Sequence, residues 1–390
     1  MLSPEDYGVF SAVMALSTLF LSPMGAFIMI TSRNVTEMEI KNSSIYIRSY
    51  YNKINKNLFY LSVFLLMILI IFRQEFFSSI KIDNYYSLFS FYLILIFSFY
   101  GTLNYSFLQG THRFIFIGYL SIIGIVLKIL FSYVFTQLSP SLDAVLYAIV
   151  TSLISVYLVG LVFINKKFKH HVGLEKIIEQ RASVEILKKA LPVLIATISL
   201  AVMTQLDIVL VNYYFSSSQA GLYAAASVLG KAVLYIPGGL IIVLFPIAAA
   251  DKVANGNGLQ LLFKASLVTF LSCGLLACIY FIFGNFLIEN LYGVDYSGAG
   301  EILGWYGLAM LPLALVIVAE QFVIARGGTL FSWIFIVFAP LQVVTIVLWH
   351  EELWTILLSV GFFGFLTALS GYLILLYKNH SQISGNYLIK

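Results

Sequence analysis

Residues 191–250 read LPVLIATISLAVMTQLDIVLVNYYFSSSQAGLYAAASVLGKAVLYIPGGLIIVLFPIAAA and hold two apolar runs, 190–215 and 220–250, split by the polar turn Ser216-Ser217-Ser218-Gln219. Each run exceeds the roughly 20 apolar residues with which a helix crosses a bilayer, so the pair reads as two successive membrane spans. The second run carries Pro237 and Pro246. Proline lacks the N–H of an i→i−4 bond and crowds the carbonyl four residues back, so a kink or break is expected there. Each run also holds one charge, Asp207 and Lys231. An ionised group inside a span is costly and marks a functional site by default.

The rest of the chain has the same character. Of its 390 residues, 61% are hydrophobic and only 10% charged, against roughly 25% charged in a soluble domain, and the mean hydropathy is +0.95. So few charges cannot cover a soluble surface, which excludes a soluble enzyme and a nucleic-acid binder. Eleven apolar runs are long enough to cross, at about 8–31, 58–72, 85–108, 114–136, 142–164, 190–215, 220–250, 259–283, 301–326, 329–349 and 353–376. That number excludes a single-pass receptor. No ten-residue segment alternates with period two, which excludes a β-barrel, and the expected class is an all-α polytopic membrane protein. The motifs HExxH, GxxxxGK[ST], GxSxG and CxxC are absent. Cys273 and Cys278 are five apart within one run and off a common helix face, so packing rather than metal binding or a disulfide is their expected role, and no cofactor is expected. Glu5 and Asp6 precede the first run, where a signal peptide would carry basic residues.

Placing the N-terminus outside puts 18 of the 22 Lys and Arg on inner loops and two, Arg73 and Lys81, on outer loops, with Lys128 and Lys231 inside spans. The outer side collects acids, among them Glu5, Asp83, Glu289, Asp295 and Glu351. This split follows the positive-inside rule and predicts an outer N-terminus and an inner C-terminus. Outer loops are short. In the inner segment 33–57, Ile47, Tyr50, Tyr51, Ile54 and Leu58 recur at helical spacing and read as an amphipathic helix on the inner surface. The segment 165–189 is basic and polar, and its His170 and His171 read as solvated parts of a charge run. It divides the chain into an N-terminal bundle, 1–164, a cytoplasmic linker, 165–189, and a C-terminal bundle, 190–390.

An internal repeat is visible. Residues 3–25, SPEDYGVFSAVMALSTLFLSPMG, match 216–239, SSSQAGLYAAASVLGKAVLYIPGG. Each copy has a polar turn, a Gly-aliphatic-aromatic triplet (Gly8-Val9-Phe10 and Gly221-Leu222-Tyr223), small residues, and then Pro23 or Pro237, with one residue of slip between landmarks. A weaker echo joins 103–113 to 319–329. The copies open spans one and seven and therefore point the same way, which is a parallel repeat about an axis along the membrane normal, one of the transporter designs. The second copy follows a span and the first follows none, so the expectation is a six-span unit of which the first span is missing here, with the missing span encoded upstream of Met1.

Several of these residues resemble one family. Leu191-Pro192, the intramembrane Asp207, Gly221-Leu222-Tyr223-Ala224 and Pro246 look like the span 7–8 signature of the oligosaccharide flippases, the polysaccharide-transporter branch of the MOP (multidrug/oligosaccharidyl-lipid/polysaccharide) exporter superfamily. Ser3-Pro4-Glu5-Asp6-Tyr7-Gly8 with Arg33, and the turn Leu291-Tyr292-Gly293-Val294-Asp295-Tyr296, resemble that family's span 1–2 and pre-span 10 turns. The resemblance implies two parallel bundles around a central cavity, the MATE-like fold less its first helix, in a bacterial plasma membrane. It implies flipping of a lipid-linked (undecaprenyl-pyrophosphate) oligosaccharide from the cytoplasmic to the outer leaflet for polysaccharide or O-antigen synthesis, as a transporter and not an enzyme. Its partners would be the lipid-linked cargo, membrane lipid, and the polymerase and glycosyltransferases that handle the same sugar.

The candidate site residues follow from charge and depth. Lys128, Lys231 and Asp207 lie about eight to ten residues from the outer ends of their spans, roughly 12–16 Å deep at 1.5 Å per residue. One reading is a cationic lining for an anionic substrate, with Asp207 as partner or proton carrier. The competing reading is a Lys–Asp pair locking the two halves together. Arg33, Arg113 and Arg326 stand near inner ends, where a lipid pyrophosphate would arrive first and where positive-inside topology also puts arginine. Pro23, Pro237, Pro246 and Pro312 are candidate bending points. With no nucleotide motif present, a proton or sodium gradient is the expected energy source. Glu320 and Asp207 are the only carboxylates within spans, and Glu320, with no charged residue within four positions, is favoured over Asp207 as the carrier. The rival functions are a drug or cation exporter of the same superfamily, against which the lysines argue, a membrane polymerase or glycosyltransferase, and a non-transporting scaffold.

Overall fold

The computed structural model describes residues 2–40, 44–82, 84–168, 184–241, 244, 247, 258–326 and 328–387. They form helices throughout: α1 (Pro4–Leu21), α2 (Met24–Ile40), α3 (Ser44–Ile71), α4 (Arg73–Ile80), α5 (Tyr85–Gly110), α6 (Phe114–Leu138), α7 (Leu142–Lys167), α8 (Val184–Tyr214), α9 (Ser217–Gly230), a 3-10 turn (Lys231–Tyr235), α10 (Gly258–Tyr292), α11 (Ala299–Ala325), α12 (Leu330–Leu348) and α13 (Leu353–Tyr387). Among the described residues ten helices are long and apolar enough to cross a membrane. The count is eleven when α1 and α2, which meet at a 42° bend, are taken as one broken span. These are the eleven runs read from the sequence, in the same order.

Two boundaries differ from expectation. The stretch 47–58 is not a separate surface helix; it is the first half of α3. Its apolar face is buried inside the protein rather than against lipid: Ile47, Tyr51 and Leu58 are all buried. The Tyr51 hydroxyl donates to Asn104 Oδ1 at 2.7 Å, and its ring meets Phe107 edge-on at 5.1 Å. The break in the long run 220–250 begins at Lys231, six residues before Pro237. Pro237 has no N–H for the Val233 carbonyl four residues back. That carbonyl instead accepts the thiol of buried Cys273, 3.5 Å away. Pro312, by contrast, sits inside an unbroken α11. Pro246, His170 and His171, and most of the 165–189 linker lie outside the described residues.

The chain forms two compact units, one of residues 3–12 with 199–390 and the other of 13–198. In the unit of 13–198, α5 is the central helix. Its Asn104 accepts from Tyr51 and donates to the Tyr157 carbonyl at 3.0 Å. At the other end of α5, Asn84 caps the helix and donates to Asp143 at 2.8 Å, tying the starts of α5 and α7. Thr36 of α2 donates to the Gly110 carbonyl at 2.8 Å. In the unit of 3–12 and 199–390, α11 is the most buried span, packed by α9, α10 and α13.

Both repeat copies start with the same cap. Ser3 Oγ accepts the Asp6 amide at 3.2 Å, and Ser216 Oγ accepts the Gln219 amide at 3.3 Å in a complete capping box. A serine oxygen here satisfies one of the free N–H groups of a helix start. In each copy the glycine follows the cap serine by five residues.

Candidate functional site

Asp207 is fully buried on α8. Its Oδ2 accepts two phenol hydroxyls, Tyr223 of α9 at 3.0 Å and Tyr306 of α11 at 2.5 Å. Its Oδ1 faces the ammonium of Lys231 at 3.6 Å. Lys231 Nζ also donates to Gln205 Oε1 at 3.1 Å and stands 5.9 Å from the Tyr306 ring centroid. The two tyrosines are themselves fully buried and meet edge-on at 5.6 Å.

The local backbone explains how these groups meet. Lys231 is the first residue after α9, where the helix tightens into the 3-10 turn. Gly230, immediately before it, lies against Tyr306, and a Cβ there would stand 2.5 Å from the ring. A side chain at 230 would therefore push Tyr306 off Asp207. A buried charge survives only when paired and hydrogen-bonded, and this cluster supplies both conditions in one unit, from α8, α9, α11 and the 3-10 turn that carries Lys231.

The structure therefore brings Asp207 and Lys231 together, and the pair lies inside one unit rather than between the sequence halves. Glu320 is elsewhere. It is 3% exposed on α11, fourteen residues beyond Tyr306, or about 21 Å along the helix. Among the described residues it has no hydrogen bond or ion pair. Lys128 is exposed on α6 and likewise has no hydrogen bond or ion pair among the described residues. Arg33 is exposed on α2 and pairs with Glu37 at 3.0 Å. Arg113 is exposed at the start of α6. Both arginines lie at the end of the unit where α2 crosses Gly110. Arg326 ends α11, its guanidinium 5.6 Å from the Phe322 ring centroid. No group of three or more His, Cys, Asp or Glu able to hold a metal occurs among the described residues.

Sequence reasoning did not identify Tyr223 and Tyr306 as partners of Asp207, nor Gln205 as a partner of Lys231. With 25 tyrosines in the chain, residue type alone cannot select two. The usable signal was Tyr223 in the motif Gly221-Leu222-Tyr223-Ala224, sixteen residues from Asp207 on the neighbouring helix.

No family model matches the sequence, and none of the curated proteins compared with it matches either. Solved structures do match. The inward closed form of the lipid II flippase MurJ superposes with a TM-score of 0.74 at 16% identity, covering 100% of this chain and 85% of that one. An inward-facing multidrug resistance MATE family transporter of the MOP superfamily gives 0.80 at 11% identity, over 98% and 91%. A mutant of the Vibrio cholerae MATE transporter VcmN gives 0.61 at 12% identity, over 97% and 95%. This chain is an all-helical, multi-pass membrane protein with the fold that MurJ and the MATE transporters share.

Proposed function

We propose that the protein is a transporter that flips a lipid-linked, pyrophosphate-bearing oligosaccharide from the cytoplasmic to the outer leaflet of a bacterial plasma membrane by alternating access. The orientation is N-terminus outside, from the 18-to-2 distribution of basic residues. The observation that carries an anionic cargo is Lys128, an exposed ammonium ten residues inside the end of α6 with no ion pair among the described residues. A cation at that depth costs several kcal/mol unless it meets water or an anion. Lys231 is the second intramembrane cation, and Arg33 and Arg113 offer charge at the entry end. The fold carries no covalent chemistry in this reading.

A drug or cation exporter is the second reading, and MATE-like folding favours it as much as MurJ-like folding favours the first. A cation exporter needs an available carboxylate. Asp207 is already held by Lys231, Tyr223 and Tyr306, which leaves Glu320, the favoured ion carrier in either reading. The separating experiment is transport by purified protein in liposomes. A fluorescent undecaprenyl-pyrophosphate oligosaccharide should become accessible to an external lectin, and Lys128→Gln should slow this about tenfold, the loss of roughly 1.4 kcal/mol of charge recognition. Efflux of a cationic dye that survives Lys128→Gln, with no flipping of the oligosaccharide, would establish the exporter instead.

A further inference from the structure

A long groove runs over the surface of the unit of 3–12 and 199–390, between α10, α11 and α13, with a volume of about 810 Å³. Its floor is made of small residues, Gly274, Ala277, Ala309 and Gly361, and its walls of exposed Leu275 and Phe362. The helices can come close here because these positions carry little side chain: a Cβ on Gly361 would already stand 3.3 Å from Ala309 Cβ. From Phe270 to Phe281 on α10 the groove follows eleven residues, about 16 Å at the helical rise. That is about half of the roughly 30 Å hydrocarbon layer, one leaflet.

Beside the start of α11 the groove runs into a second pocket of about 370 Å³. The two share Phe281, Trp305 and Trp354. The second pocket is polar, with Asn285 and Glu301 as its polar side chains and no basic residue in its lining. Glu301 is exposed and makes no hydrogen bond or ion pair among the described residues. Asn285 lies over Gly300, where any Cβ would collide with its amide oxygen. Tryptophan is the residue that settles at a membrane–water boundary, and Trp305 and Trp354 meet edge-on at 6.4 Å where the apolar groove becomes the polar pocket.

We propose that this is a binding site for one lipid of that leaflet, its hydrocarbon chain along the groove and an ammonium-bearing headgroup of the phosphatidylethanolamine type against Glu301. The charge of the pocket selects the headgroup. A carboxylate with no basic neighbour in the lining attracts an ammonium and repels an anionic headgroup, so the pyrophosphate cargo proposed above is disfavoured here. The site is thus separate from the transport reading and stands if that reading fails.

The two tryptophans report on it directly. In a background where exposed Trp333 and Trp349 are phenylalanine, the full-length protein is placed in vesicles of equal phosphatidylethanolamine and phosphatidylglycerol content, with bromine on the chains of one lipid or the other. Brominated phosphatidylethanolamine should quench Trp305 and Trp354 at least twofold more than brominated phosphatidylglycerol. Glu301→Gln should equalise the two. Gly274→Leu, or Cys278→Phe where the first variant does not fold, should lower quenching by brominated phosphatidylethanolamine to the level of the anionic lipid. Equal quenching in the parent protein means only ordinary surrounding lipid and overturns the proposal, as does a preference that survives Glu301→Gln.

Discussion

Gly8 and Gly221, which occupy the same place in the two repeat copies, are in contact: a Cβ on Gly8 would stand 2.9 Å from the Gly221 amide nitrogen, and a Cβ on Gly221 only 1.8 Å from the Pro4 carbonyl oxygen. The starts of α1 and α9 therefore cross backbone to backbone at equivalent residues of the two copies. Tyr7 closes the same end, its hydroxyl 3.1 Å from that of Tyr292 and its ring edge-on to Tyr296.

Substitutions at this crossing should be unequal. Gly221→Ala drives a methyl into backbone that cannot rotate away, at the upper end of the roughly 1–3 kcal/mol typical of overpacking, and Gly8→Ala should cost about 1 kcal/mol. Thermal unfolding in detergent measures both. A Gly8 variant less stable than the Gly221 variant would contradict the crossing.

The Asp207–Lys231 pair should behave as one unit. Lys231→Ala or Asp207→Ala alone leaves a buried charge, at a cost of about 3–5 kcal/mol. The double variant should lose clearly less than the sum. Tyr306→Phe removes one hydrogen bond to a charged group and should cost about 1.5–3 kcal/mol. A double-mutant cycle with no coupling energy would show that the two side chains do not interact.

Lys128 and Lys231 should separate function from stability. Lys128→Gln should lower transport of the anionic lipid while leaving the melting temperature within a degree or two, because Lys128 is exposed and unpaired among the described residues. Lys231→Gln should lower both. Normal transport in Lys128→Gln would remove it from the cargo path.

Glu320 should carry the gradient dependence if the carrier is a carboxylate. Glu320→Gln keeps the size of the side chain and removes its ability to lose a proton, so the variant should fold and should transport at a rate indifferent to collapse of the proton gradient. Full rate with full gradient sensitivity in Glu320→Gln would assign coupling elsewhere.

The spans were legible because apolar runs of this length have no other use, and the repeat was legible because a polar turn, a Gly-aliphatic-aromatic triplet and a proline recur in the same order, Gly8 to Pro23 and Gly221 to Pro237. The proline signal was right in kind but late in place: Pro237 is in the span, yet the helix tightens from Lys231. The face at Ile47, Tyr51 and Leu58 was read as facing lipid because helical spacing records that a face is apolar and not what covers it. Tyr306 could not be found at all, since its role depends on α11 passing Gly230, a contact between residues 76 positions apart.

The grouping of residues 3–12 with 199–390 has a consequence for how the chain could be divided. A cut within 169–183 would separate two polypeptides whose boundary does not match the boundary of the compact units. The amino-terminal fragment would still own residues 3–12, whose Pro4 and Gly8 meet Gly221, and the carboxy-terminal fragment would lack these contacts. Two such fragments made together should complement one another, because the start of α1 in the first belongs to the compact unit of the second.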